Sequence, residues 1–189
     1  MRKAGWLLSV LLLVVILAGC AFVSTSDSAV TEWPPSMTVK LGTYVSNEAL
    51  RQALIGAGFR IGRWGDDILK RVKVASKPTA VKIKIVTVAE LGFPDGATRI
   101  QIYQKALSLG LQLCAAEVGP AMRLQYRDQP KGEWLLIGME PIIDSNGYPG
   151  VFNLASVFGK RWLCSPFAFS DDFWSDFWPA NCRWAFRCP

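Results

Sequence analysis

Val81-Lys82-Ile83-Lys84-Ile85-Val86-Thr87-Val88 opens with strict apolar/polar alternation and closes nearly all apolar. A period of two with β-branched residues at most apolar positions predicts a strand, and no other stretch of the chain predicts one so strongly. Upstream, Val39 to Val45 reads as a first strand. Ser46 can cap a helix with Glu48 in its first turn, and Leu50, Ala53, Leu54 and Ala57 recur on one face before Gly56 and Gly58. Asp66-Asp67 to Lys70-Arg71 suits a shorter helix whose charges match its dipole. Downstream, a turn at Gly92–Gly96 leads to Thr98, which with Gln101 forms a capping box. Ile100, Tyr103, Ala106 and Leu107 then share a face, and Gly110 suits the end of that helix. Gly119-Pro120 is expected to break any further helix, and Leu124-Gln125-Tyr126 to run extended. Trp134–Met139, Arg161–Cys164 and Cys182–Cys188 are further strands, with Val151–Leu154 returning antiparallel after a tight turn at Asn146-Gly147. The pattern is α+β: a mixed or antiparallel sheet with two principal helices.

The chain of 189 residues carries 21 Lys+Arg, 15 Asp+Glu and no histidine. A hydrophobic content of 51% excludes intrinsic disorder. The missing histidine excludes Ser-His-Asp and Cys-His catalysis and imidazole-based zinc sites. Positive charge is concentrated: residues 40–84 hold ten Lys/Arg against three Asp/Glu, whereas residues 85–189 hold nine against ten. Lys70, Arg71 and Lys73 are candidates to meet an anionic surface such as lipid headgroups or wall polymer. The plainer reading is a solvated basic face. Nucleic acid is not expected as a partner.

Motifs for cofactors are missing. Gly56-Ala57-Gly58 lacks dinucleotide-loop spacing, and Asp144-Ser145-Asn146-Gly147 departs from a calcium loop and reads as a turn. No cofactor or metal is expected. Glu117, Glu133 and Glu140 are the carboxylates from which a glycan-cleaving pair would have to come. The C-terminal part, residues 155–189, is rich in aromatics, among them Trp162, Phe167, Trp174, Trp178, Trp184 and Phe186. Trp174 and Trp178 are candidates to stack on a sugar or hold a partner; packing in the core is the competing role. In Cys182–Cys188 the period is two, so Trp184 and Phe186 face one way and Arg183 and Arg187 the other.

The N-terminus carries Arg2 and Lys3, then an uncharged, mostly apolar run from Trp6 to Ala18. That run suits a signal sequence and is short for a spanning helix. Leu17-Ala18-Gly19-Cys20 resembles a bacterial lipobox. The resemblance implies cleavage before Cys20, acylation of that residue and anchoring in a membrane. It divides the chain into a signal peptide (1–19), a flexible tether (20–37) and one α+β domain (38–189), with a basic part at 38–80. The domain would face the extracytoplasmic side of the cell membrane or outer membrane. Ala21 instead of Asp permits outer-membrane sorting.

A second resemblance rests on Val88–Phe93, Leu113–Pro120, Arg123–Tyr126, Asp128–Pro130, Gly132–Ile137 and Met139–Ile142, with Trp184-Ala185-Phe186 at the end. These segments are similar to a family of uncharacterised bacterial proteins. That family carries no assigned activity, so the resemblance implies no catalytic residue.

If Arg161–Cys164 returns antiparallel beside Cys182–Cys188, Cys164 lies near Cys182. A Cys164–Cys182 disulfide, with Cys114 reduced in the core, is then expected; the rival is no disulfide at all. The combined expectation is a lipid-anchored protein of the cell envelope that binds and is not an enzyme. Its alternatives are a carboxylate-dependent glycan-acting enzyme and a purely structural envelope protein.

Overall fold

The computed structural model describes residues 33–166 and 177–189. Cys20, the signal segment, the tether up to residue 32 and Trp174 lie outside the described residues. The chain is α+β. Its main sheet is seven-stranded and mixed, built from β1 (Met37–Leu41), β2 (Arg60–Ile61), β3 (Thr79–Thr87), β5 (Trp134–Ile137), β8 (Asn153–Val157), β9 (Lys160–Cys164) and β11 (Arg183–Arg187). The spatial order is β1-β3-β11-β5-β8-β9-β2. Two small antiparallel pairs complete it: β4 (Ala97–Thr98) with β10 (Phe177–Trp178), and β6 (Ile142–Ile143) with β7 (Pro149–Gly150). The described helices are α1 (Asn47–Gly56), α2 (Arg63–Leu69), α3 (Arg99–Ser108) and α4 (Val118–Gln125).

The alternating strand at 81–88 becomes β3, and it pairs antiparallel with both β1 and β11. On its other side β11 runs parallel to β5, with Trp184 opposite Leu136. Trp184 and Phe186 project together and stack, their ring centroids 6.4 Å apart. Tyr103 of α3 meets both rings edge-on, at 5.7 and 6.0 Å. Trp178 meets Trp184 edge-on at 5.3 Å. This aromatic cluster forms the core beneath one face of the sheet. On the opposite face Leu135, Leu154 and Leu163 line up across β5, β8 and β9. There α4 lies against β1, β8 and β9, and α1 covers α4.

Both capped helix starts are as expected: Ser46 Oγ accepts from Ala49 N at 3.1 Å, and Thr98 and Gln101 form the reciprocal box. Other expectations are corrected. The first strand ends at Leu41, because Gly42 turns with φ +66. The buried face of α3 is Ile102 and Ala106, while Ile100 and Leu107 remain exposed. Gly119-Pro120 does not break a helix but opens α4. Pro120 is the third residue of α4, where a backbone N–H would have no intrahelical partner, so nothing is lost. Leu124 and Gln125 are therefore helical. Gly119 serves close packing, since a Cβ there would lie 2.6 Å from the Phe152 ring. The Asn146-Gly147 turn closes β6 onto β7, and the expected antiparallel return against β5 is made by β8, Asn153–Val157. Asp144 Oδ1 accepts from Asn146 N and Tyr148 N, at 2.8 and 2.9 Å, so this carboxylate shapes a turn.

The expected neighbourhood of β9 and β11 is also corrected. Two strands, β8 and β5, separate them. At roughly 4.8 Å per strand, Cys164 and Cys182 sit at least about 14 Å apart, beyond the roughly 7 Å a disulfide spans. Cys114, Cys164, Cys182 and Cys188 are free thiols. Burial pushes the Cys114 thiol up to about 12 and the Cys164 thiol up to about 11. Both behave as small apolar core residues.

Candidate functional site

The parallel pairing of β11 with β5 aligns the start of both strands, and a cleft of about 470 Å³ opens there. Trp134, Leu136 and Trp178 supply its apolar wall, and Glu133, Asn153 and Arg183 its polar groups. Glu133 immediately precedes β5, and its side chain is only 5% exposed. Its Oε1 accepts a charged hydrogen bond from Arg183 Nη1. Its Oε2 is buried and makes no hydrogen bond of standard geometry among the described residues, and the Tyr126 hydroxyl lies within hydrogen-bonding reach of the same carboxylate. Asn153, at the start of β8, is buried, and its Oδ1 is unpartnered among the described residues. Buried acceptors are usually satisfied, because leaving one unmade costs about 1–3 kcal/mol. Asn153 Oδ1 is thus the open acceptor of this cleft, beside a Glu133 carboxylate shared between Arg183 and Tyr126, and a ligand that donates hydrogen bonds fits there. Trp134 is 40% exposed and offers an apolar edge to it.

The remaining groups narrow the chemistry. Cys182 lines the cleft, but burial raises its pKa and keeps the thiol protonated, so it lacks the thiolate a nucleophile needs. Burial and the adjacent Glu133 likewise push the Tyr126 phenol up. The three carboxylates singled out from sequence do not share a partner. Glu117, buried, accepts from Gly42 N and Ala75 N, both at 2.7 Å. Glu140 is exposed. Glu133 alone lines this cleft. Among the described residues the cleft offers one carboxylate, held by an arginine; Asp171, Asp172 and Asp176 lie outside the described residues.

The other candidates fall elsewhere. Lys70 pairs with Asp66 at 3.8 Å and Arg71 with Asp67 at 3.0 Å, which neutralises much of that basic run; Lys73 is exposed. Trp178 is core on one side and cleft wall on the other. Asn153, Trp134 and Arg183 were not legible as a set. They converge only through the β11–β5–β8 order, which brings residues 19 to 49 positions apart together.

No protein-family model matches the chain, and no curated protein or solved structure matches it either.

Proposed function

We propose that this protein is a lipid-anchored binding module of the bacterial cell envelope, and that its cleft at the start of β5 and β11 holds a saccharide. The observation that carries the reading is the buried, unpartnered acceptor Asn153 Oδ1 beside exposed Trp134, with the Glu133 carboxylate lining the same cleft. Sugar hydroxyls are donors that such acceptors satisfy, and the C–H faces of a pyranose pack on indole. Arg183 adds donors for ring or glycosidic oxygens. The lipobox-like Leu17–Cys20 supports the anchor, and the Ser- and Pro-containing stretch after it supports a tether. The one carboxylate that lines the cleft among the described residues is paired with an arginine, which favours holding a glycan over cleaving it.

Calorimetric titration of the detergent-solubilised chain with cell-wall oligosaccharides tests the cleft. Trp134→Ala and Asn153→Ala are each expected to weaken binding about tenfold. Asn153→Ala removes no hydrogen bond from its Oδ1, so its melting temperature should stay near that of the parent. Absence of heat across the oligosaccharide panel retires the saccharide reading. The anchor has its own test. Cys20→Ser is expected to block acylation and with it membrane retention through acyl chains, and equal detergent partitioning with an intact, unprocessed N-terminus in both forms would reject lipoprotein processing.

A further inference from the structure

The turn joining β8 to β9 contradicts its own local chemistry. Val157 pairs with Lys160, so only Phe158 and Gly159 form the loop. Their φ values are +52 and +68. A two-residue hairpin of this hand favours Asn-Gly, because the first residue must enter the left-handed region that bulky side chains avoid. Here that position holds phenylalanine, and it is 90% exposed. An aromatic ring is thus displayed to solvent at a site where both backbone preference and hydrophobicity argue against it. Such a residue is explained when something outside the fold covers it.

The surroundings say what covers it. Beside Phe158 lies a cleft of about 680 Å³ whose walls include Lys131, Lys160 and Arg161. Among the described residues, no Asp or Glu lines it. Beneath it Arg123 is fully buried. Its guanidinium donates to the Gln129 side-chain oxygen and the Tyr126 carbonyl, neither of which carries charge. Burial, then the neighbouring Arg161, hold its pKa down to about 10. Glu133 acts on Arg123 from outside the cleft, but the cleft wall itself presents only cationic side chains among its charged groups.

We propose that the β8–β9 turn is a membrane contact: Phe158 inserts among the headgroups of an anionic bilayer while Lys131, Lys160 and Arg161 engage lipid phosphates in the adjoining cleft. An exposed aromatic at a tip flanked by cations is the chemistry of interfacial binding. The contact stands on the turn and its cleft alone and does not depend on the saccharide reading, although the two clefts adjoin at Gly132. Where an acyl anchor is also present, the tether raises the effective concentration of the tip at the bilayer.

Hydrogen exchange of the full chain in lipid nanodiscs tests it. Three conditions are compared: phosphatidylcholine discs, discs of equal parts phosphatidylcholine and phosphatidylglycerol, and phosphatidylcholine discs with inorganic phosphate added. The segment 156–161 is expected to exchange about tenfold more slowly in the anionic discs only, as the burial of one phenyl ring would produce. Phe158→Asn should abolish that protection while leaving the fold as stable or more so, because Asn suits the left-handed turn. Lys160→Glu with Arg161→Glu should abolish it as well. Equal exchange in neutral and anionic discs overturns the proposal. Protection by phosphate alone that survives in Phe158→Asn also overturns it and leaves a soluble-anion site. A Phe158→Asn protein that unfolds more readily than the parent would make the ring structural, and that too is incompatible with the proposal.

Discussion

Replacing Glu117 with alanine is expected to lower the unfolding free energy by about 4 kcal/mol, one of the two largest single-residue effects argued for this molecule. Glu117 precedes α4 and is 2% exposed. Its two oxygens accept from backbone N–H groups on two different segments, Gly42 after β1 and Ala75 before β3, each at 2.7 Å. Hydrogen bonds to a charged group contribute about 1.5–3 kcal/mol each when buried. The two segments are already in intimate contact, since a Cβ on Gly42 would lie 2.3 Å from the Lys77 carbonyl oxygen. Neither loop can close on the other if the carboxylate is missing and the N–H groups are stranded. Glu117→Gln is the sharper variant. Its shape is unchanged, yet its amide must aim a donor at one of the two donors, so about half of the loss should persist. Urea unfolding reads both outcomes as a lower midpoint at constant slope. A midpoint within the error of the parent for Glu117→Gln would show that the carboxylate clamp contributes little.

That clamp illustrates what could and could not be read from the chain. Strands at 81–88, 134–139, 161–164 and 182–188 were visible because each carries its own periodicity or a dense β-forming run. Ser46 and Thr98 were visible because a cap is chemistry within four residues. Sheet order was not. It depends on β11, the last strand, running parallel to β5 across nearly 50 residues of sequence, and no local pattern encodes that insertion. The absent Cys164–Cys182 disulfide has the same cause, since local pattern alone makes β9 and β11 neighbours whereas β5 and β8 lie between them. Pro120 misled for a different reason. The residue that ends a helix from inside is harmless in its first turn, and only the position of the helix decides which applies.

The segments on which the family resemblance rests acquire a physical role. Glu117 holds two loops. Arg123 grips Gln129, whose amide in turn donates to the Leu154 carbonyl at 3.0 Å, tying α4 to β8 through the loop before β5. Glu133 pairs with Arg183 and joins the starts of β5 and β11. Polar residues that looked like candidates for chemistry are thus mostly fasteners between elements distant in sequence. Of the two glutamates, Glu133 also lines a cleft. Sequence spacing cannot separate the two roles, because both require a charged group next to a strand or helix end.

The same logic of long-range fit predicts a large effect from the smallest possible change. Gly138→Ala is expected to destabilise the fold by about 3 kcal/mol, although it adds one methyl group at the end of a strand. Gly138 follows β5, and its N–H donates to the Ala185 carbonyl at 2.9 Å. A Cβ built there would lie 2.3 Å from Phe186 Cε1 and 2.6 Å from Cδ1. The Phe186 ring cannot yield, because it is fully buried, stacked on Trp184 and met edge-on by Tyr103. Tyr103 is itself fixed, with its hydroxyl donating to the Met139 carbonyl at 2.8 Å. Relief of the clash therefore requires either β11 to move from β5 or α3 to move from the sheet. Phe186→Leu frees space at that point while costing about 1–2 kcal/mol through lost burial. The double variant Gly138→Ala/Phe186→Leu should then be more stable than the sum of the two losses, by about 1 kcal/mol or more. Urea unfolding of the four proteins in this cycle reads the coupling. Strict additivity would show that the ring and the glycine do not meet, and with that the packing of β5, β11 and α3 around Trp184 would have to be redrawn.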